Sequence, residues 1–254
     1  MRRNLTIDRG NTATKAVVWE GRRAIWQQSY PDAVREDFCN IVEKYSPECA
    51  ILCTVTDGNE FILETLTELL GEENVKVLTR EMPIPMEIDY STPETLGADR
   101  VAAAVGATVI NPGKTSLVVD IGTAITYDVV TADCHFRGGN IAPGIGMRLR
   151  ALNAYTSRLP LIDSKGETPL WGESTETAMR SGAVNGVIGE ILYYMSQLPA
   201  DTTLILTGGW GTDMAKRLPI KAVAKPCLVS IGLNRILSYN HQLQQGILTY
   251  NETK

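Results

Sequence analysis

No apolar run in this sequence approaches the roughly 20 residues needed to cross a bilayer, so no segment reads as a transmembrane helix. Positive charge is not in excess either. With 24 Lys and Arg against 29 Asp and Glu, the net charge of −5 gives no electrostatic footprint for nucleic acid or an anionic membrane. Any anion the protein binds must be held locally. The five cysteines, Cys39, Cys49, Cys53, Cys134 and Cys227, are odd in number and scattered, which excludes a simple disulfide framework. Cys49 and Cys53 fall in "CAILC", a predicted strand that sets them about 13 Å apart on one face as core thiols. Low-complexity segments and charge runs are absent. "MRRNLTID" enters a strand with no signal-peptide core, so the expected location is cytoplasmic.

What is present is ordinary globular composition: 44% hydrophobic and 21% charged residues over 254 positions, enough for one large domain or two modest ones. Strands and tight turns are predicted over residues 4–30, and a helix over 32–45 with Val34, Phe38, Ile41 and Val42 on one side. "CAILCTV" reads as a buried strand, 61–70 as a helix and "VKVL" as a strand. This alternation predicts an α/β domain with a largely parallel sheet. After the Pro-punctuated stretch 82–97, a helix is expected from Pro93 with Thr92 as its N-cap. Its "GADRVAAAVGAT" is small enough to pack closely.

The pattern then restarts. "NLTIDRGNTATKAVVW" and "TSLVVDIGTAITYDVV" align without a gap, placing Asp8 over Asp120 and Gly10 over Gly122 at a spacing of 112 residues. The repeat predicts a duplicated fold with one hairpin per half, a boundary near residue 114 at "NPGK", and domains of 1–114 and 115–254. The second half continues with "GGNIAPG" as a glycine-rich turn into a helix near Pro143. A helix over 176–198, the strand "TLILT" with a glycine loop, and a final helix from about Val229 follow.

An acid at a strand end, followed by glycine and by hydroxyl or amide side chains, suits the phosphates of a nucleotide. Glycine lets backbone N–H groups approach, Thr and Asn donate, Lys adds charge, and a carboxylate can hold a hydrated cation. Two such hairpins facing each other across a cleft would bracket a triphosphate. For either hairpin alone an ordinary β-turn is the alternative, and recurrence of the aspartate in register argues against it. "LTGGWG" offers a third glycine turn, for a nucleoside or simply a tight strand-to-helix connection. In "GADR" the charges of Asp99 and Arg100 interrupt a small, apolar segment. They read either as an exposed ion-pairing turn or as a carboxylate that takes a hydroxyl proton beside a guanidinium that grips an anionic acceptor.

Taken in order, "DRGNTATK", "GADR", "DIGTAITYD", "GGNIAPG" with "RAL", "EST" and "TGG" resemble the type III pantothenate kinases, members of the actin-like and sugar-kinase superfamily. The resemblance runs from Asp8 to about Gly209. It implies duplicated actin-like, ribonuclease-H-like domains with an interdomain cleft, and ATP-dependent phosphorylation of pantothenate to 4′-phosphopantothenate at the start of coenzyme A biosynthesis. Carried over residue by residue, it makes Asp8, Arg9, Gly10, Asn11, Thr12, Ala13, Thr14 and Lys15 the phosphate hairpin, with Asp8 near the metal. It makes Asp99 the base, within a substrate-binding run of Gly97, Ala98, Asp99 and Arg100, where Arg100 meets the pantothenate carboxylate. Tyr90 and Thr175 become further substrate contacts, Asp120 the monovalent-cation ligand, and Thr123, Gly208 and Gly209 nucleotide contacts. It also implies Mg²⁺, K⁺ or NH₄⁺, and a homodimer with substrate pockets near the subunit interface. Two positions depart from the family pattern: Arg9 replaces a usually apolar residue, and Ser174 a frequent Asn or Asp. The rivals are a sugar kinase on the same fold and a nucleotide-dependent regulator without catalysis.

Overall fold

The computed structural model of the chain describes residues 2–54 and 60–248, so Val55, the last residue of the expected strand "CAILCTV", lies outside the described residues. Two compact units emerge. Unit 1 takes the chain up to Gly113, residues 132–137, and everything from Cys227 onward; unit 2 takes Lys114–Thr131 and Gly138–Pro226.

Unit 1 is built on β1 (Arg3–Arg9), β2 (Thr14–Glu20), β3 (Arg23–Tyr30), β4 (Cys49–Thr54) and β5 (Val75–Val77), in the order β3-β2-β1-β4-β5. β1, β2 and β3 run antiparallel, while β4 and β5 continue parallel to β1. Strand alternation sends Leu5, Ile7, Ala16, Val18 and Leu52 into one core with Phe38 and Ile41 of α1 (Arg35–Tyr45) and Ile62 and Leu66 of α2 (Glu60–Leu70). Packing against β1 and β4 as well are α3 (Ala98–Ile110) and α7 (Leu228–Gln244). These two helices pack with their backbones nearly touching. A Cβ on Gly232 would come within 1.8 Å of the Ala102 carbonyl oxygen, and one on Gly106 within 2.4 Å of that of Leu228. Asn234 fastens α7 further, accepting from Asn4 Nδ2 at 2.8 Å and donating to the Gly21 carbonyl at 2.9 Å. The last helix therefore joins unit 1, although the sequence reading puts it in the 115–254 domain.

Unit 2 repeats the arrangement with β7 (Ser116–Ile121), β8 (Ala124–Val130), β9 (His135–Pro143), β10 (Thr203–Thr207) and β11 (Ala222–Ala224), in the order β11-β10-β7-β8-β9. Counted from the first strand of each unit, both sheets read third, second, first, fourth, fifth. Leu117, Val119, Ile121 and Leu206 pack with Ile145 and Leu149 of α4 (Ile145–Tyr155), Val184 and Val187 of α5 (Thr175–Ser196), and Met214 of α6 (Gly211–Arg217). The first residues of β9 belong to unit 1, where His135 and Phe136 pair with Glu87 and Ile88 of β6 (Glu87–Ile88).

Two local expectations change. The expected helix from Pro93 is a single 3₁₀ turn, Pro93–Thr95, broken by extended Leu96; α3 then starts at Ala98 with Gly97 as N-cap. "GGNIAP" is strand rather than turn. Gly139 lies so close over β8 that a Cβ would meet the Tyr127 carbonyl oxygen at 2.0 Å, so glycine is there for close strand packing.

Candidate active site

At the C-terminal end of β1 the chain turns through residues 10–13, closed by a hydrogen bond from Gly10 N to the Ala13 carbonyl at 3.1 Å. Asn11 and Thr12 are exposed at the tip. Asp8 stands across from Lys15 on β2 and beside Cys53 on β4. Its carboxyl is pushed up to about 6 by desolvation, with Lys15 pulling it down and the carboxylate of Asp99 adding to the rise. Thr14 is fully buried, and its hydroxyl oxygen accepts from the Arg9 guanidinium at 2.7 Å.

Asp99 lies in the first turn of α3, where its Oδ1 accepts the Arg100 N–H at 2.9 Å. Gly97 makes room for that carboxylate, since a Cβ there would stand 2.5 Å from Oδ1. Arg100 is only 6% exposed, so it is no part of an exposed ion-pairing turn. Its guanidinium sits 5.6 Å from the ring centre of Tyr90 and 5.5 Å from that of Phe136, and the two rings meet edge to face. Asp89 steadies this corner by accepting from Arg137 at 2.7 Å and contacting His135 Nδ1 at 3.0 Å. Asp8, Lys15 and Asp99 thus form one electrostatic group in unit 1, with Arg100 and Tyr90 an aromatic-flanked cation next to it in sequence and fold.

Unit 2 places Asp120 at the end of β7, with Thr207 of β10 alongside. Beyond Thr207 the chain folds back at Gly208, whose φ of 79° is open to glycine at little cost. A Cβ on Gly208 would meet Asp120 Oδ1 at 2.3 Å, whereas Gly209 faces open space. Thr123 is exposed at the hairpin tip, and its carbonyl accepts from Gly144 N at 3.0 Å, tying the tip to the start of α4. Thr175 is on another element, as the exposed first residue of α5. The cap of that helix is Ser174, which accepts from Thr177 N at 3.2 Å. Ser, Asn and Asp are alike good caps, which accounts for the departure at this position.

Sequence reasoning missed three neighbours of these groups. Phe136 completes the clamp on Arg100, but it comes from a strand far along the chain and carries no motif. Cys53 and Cys227 both feel the Asp8 charge, and burial pushes both thiols up. Cys227 Sγ donates to Gln27 Oε1 at 3.0 Å. Residue type alone gives no such signal.

Asp8 and Asp99 outnumber Lys15, so this group carries an excess of negative charge beside a loop of exposed donors. Among the described residues no three His, Cys, Asp or Glu gather into a metal cage. That donor set fits a hydrated divalent ion that shares its ligands with phosphate oxygens.

The family profile described as type III pantothenate kinase matches residues 4–197. A type III pantothenate kinase from Azobacteroides pseudotrichonymphae genomovar. CFP2 is 39% identical over 237 residues, covering 92% of this chain and 96% of the relative. Among solved structures, a Campylobacter jejuni chain assigned to the Baf family of transcriptional activators superposes with a TM-score of 0.61 at 21% identity, covering 94% of this chain and 99% of its own. The ROK hexokinase of Thermus thermophilus gives 0.51 at 14% identity over 92% and 98% of the two chains. At such identities these two establish the fold, the duplicated actin-like and sugar-kinase architecture. With its profile match and near full-length relatives, the chain belongs to the type III pantothenate kinase family.

Proposed function

We infer that the protein is a pantothenate kinase that transfers the γ-phosphoryl group of ATP to the primary hydroxyl of pantothenate, giving ADP and 4′-phosphopantothenate. Within family membership, the observation that carries the reading is the buried Asp8 carboxyl, which feels both the Lys15 ammonium across the hairpin and the carboxylate of Asp99. The transferring group passes through a state with little covalent demand on the protein, so the work is positioning and charge control. A magnesium ion, when bound, neutralises charge developing between the β- and γ-phosphates. Asp8 would hold it, and the tip from Arg9 to Lys15 would receive phosphate oxygens on N–H, amide, hydroxyl and ammonium donors. Asp99 orients the attacking hydroxyl and accepts its proton as the new P–O bond forms and the bond to ADP breaks. Arg100, stiffened by Tyr90 and Phe136, binds the pantothenate carboxylate, with Thr175 a further substrate contact. In unit 2, Asp120 takes a monovalent cation, and Thr123, Gly208 and Gly209 contact the nucleotide.

Two finer readings go with this one. α4 and α5 expose Met147, Leu152, Tyr155 and Tyr193, with Trp171 exposed on the approach to α5, and this number of exposed large apolar side chains supports a homodimer. Tyr155 alone is 89% exposed. Use of ATP as donor accords with a cytoplasmic location, and no described helix is long and apolar enough to cross a membrane.

The test is a coupled ADP-release assay with ATP and Mg²⁺, with and without pantothenate, in potassium and then in sodium. Pantothenate-dependent release that requires potassium is the expected result. Release indifferent to pantothenate would keep the two-hairpin nucleotide site but move the acceptor elsewhere, and no release at all would favour a nucleotide-dependent regulator.

A further inference from the structure

Unit 1 holds a cavity of about 1110 Å³ at the other end of its sheet from Asp8. The first residues of β1, β4 and β5 border it at Asn4, Cys49 and Lys76, and the last turn of α7 closes it at His241. Asn4 and Asp8 are separated by about 13 Å of β1, so the cavity is distinct from the phosphate hairpin. Its volume suits a ligand the size of a nucleotide, since small-molecule sites run from roughly 300 to 1,000 Å³.

The charges lining it assign the class of ligand. Arg2, Arg22, Arg23 and Lys76 stand against only two carboxylates, Glu20 and Glu73, in a chain whose net charge is −5. Glu20 is already engaged, 3.1 Å from Arg23 and 3.5 Å from Arg3. Arg22 faces another cation: Arg235 is held below the usual arginine range by burial and by the neighbouring Arg22 charge. Arg2 spends its guanidinium on neutral acceptors, donating to the His241 ring at Nδ1 (2.7 Å) and to Cys49 Sγ (2.9 Å). Its Nε is buried without a hydrogen-bond partner, and the nearest carboxylate oxygen, on half-exposed Glu48, is 3.6 Å away. Lys76 acts on the same thiol as Arg2, because the two together pull the Cys49 thiol down against the effect of burial. Two cations therefore converge on a thiol and an imidazole, with the half-exposed Glu48, 3.6 Å from Arg2, as the one carboxylate among the described residues paired to either of them. Phosphate oxygens satisfy such a pair, the guanidinium as a fork and the ammonium as a point charge.

We propose that this cavity is a second ligand site, which binds a phosphorylated small molecule of nucleotide size with its phosphate on Arg2 and Lys76 and its organic part along Leu237 and Ile247. The test is amide NMR on the full-length protein, titrated first with inorganic pyrophosphate and then with AMP. Expected are saturable shifts at Asn4, Cys49, Lys76 and His241 that follow a binding curve separate from any at Gly10–Thr12. Arg2→Gln risks loosening the fold, so the decisive variant is Lys76→Gln. Affinity at the first set should fall about tenfold, the equivalent of one lost charge-assisted contact, with the thermal midpoint and pantothenate turnover unchanged. Absence of shifts at that set with both probes, or shifts that keep their full affinity in Lys76→Gln, overturns the proposal.

Discussion

The two hairpins share an aspartate, a glycine and a threonine-bearing tip, yet they do not share a register. Across from Asp8 the backbone sets Lys15, and across from Asp120 it sets Thr126. In the gapless sequence alignment Lys15 matches Tyr127, so the tip of the second hairpin is one residue shorter than that of the first. A one-residue slip exchanges the faces of a strand. Tyr127 consequently turns inward, where its hydroxyl donates to Glu190 at 2.5 Å, and Arg148 donates to the same oxygen at 2.7 Å. The Glu190 carboxyl, which burial alone would raise, is held below its usual range by those two hydrogen bonds. Hairpin 1 thus brings its own ammonium to its aspartate, while hairpin 2 offers a hydroxyl there and presses a glycine turn against the carboxylate. On the proposed reading, that difference suits the first to phosphate oxygens and the second to a monovalent cation.

The largest effect belongs to neither hairpin. Asp99→Asn should lower turnover by roughly 10³-fold, about 4 kcal/mol of transition-state stabilisation, with nucleotide affinity retained. Single-turnover kinetics beside ATP titration would separate the two, and substantial residual chemistry would remove Asp99 from the reaction. Next comes Asp8. Its folded carboxyl sits at about 6 against a reference of 3.8, so the folded state holds the proton more tightly. Stability should therefore fall as pH rises from about 4 to 6 and remain reduced above that, by up to about 3 kcal/mol. In chelator, Asp8→Asn should recover much of this at neutral pH, with little change near pH 4, while losing activity. A variant that is less stable at neutral pH would mean Lys15 already satisfies the carboxylate. Asp120→Asn, made alongside, should abolish activation by potassium without that stability gain.

Gly208→Ala ranks third. The new methyl group would meet Asp120 Oδ1 at 2.3 Å in a backbone with φ of 79°. Denaturant unfolding should register a loss of about 2 kcal/mol, and the potassium activation constant should rise. Potassium activation unchanged by this variant would separate the glycine turn from the cation site.

How much of this was legible depends on which force sets each element. β-branched runs such as "AILCT" and "SLVVDI" name the strands, and recurrence of the Asp–Gly pattern reveals the duplication, because both are local. The small residues of α3 announce a close partner without saying which one. That partner, Gly232, lies more than a hundred residues on, and it is the reason α7 belongs to unit 1. "GGNIAP" misleads because glycine for close strand packing and glycine for a turn look the same in one dimension. The candidate acids are visible from their motifs, but the raised Asp8 carboxyl and the Phe136 clamp arise only once distant elements are placed side by side, and the slipped register of β8 only once its hairpin closes.

The smallest expected effect probes what hairpin 1 does with its extra charge. Arg9, which the motif resemblance marks as a departure from an apolar residue, donates from its guanidinium to the buried Thr14 hydroxyl while its own Nε is buried without a hydrogen-bond partner. Arg9→Leu removes that unsatisfied donor and also strips Thr14 of its contact. The two terms, each of order 1 kcal/mol, oppose one another. Stability should accordingly move by less than about 1 kcal/mol, and KM for ATP should rise no more than about threefold, since hairpin 1 keeps Lys15 and its backbone donors. A rise above about thirtyfold at unchanged kcat would show that Arg9 binds the triphosphate directly, which would widen the charge difference between the hairpins from one cation to two.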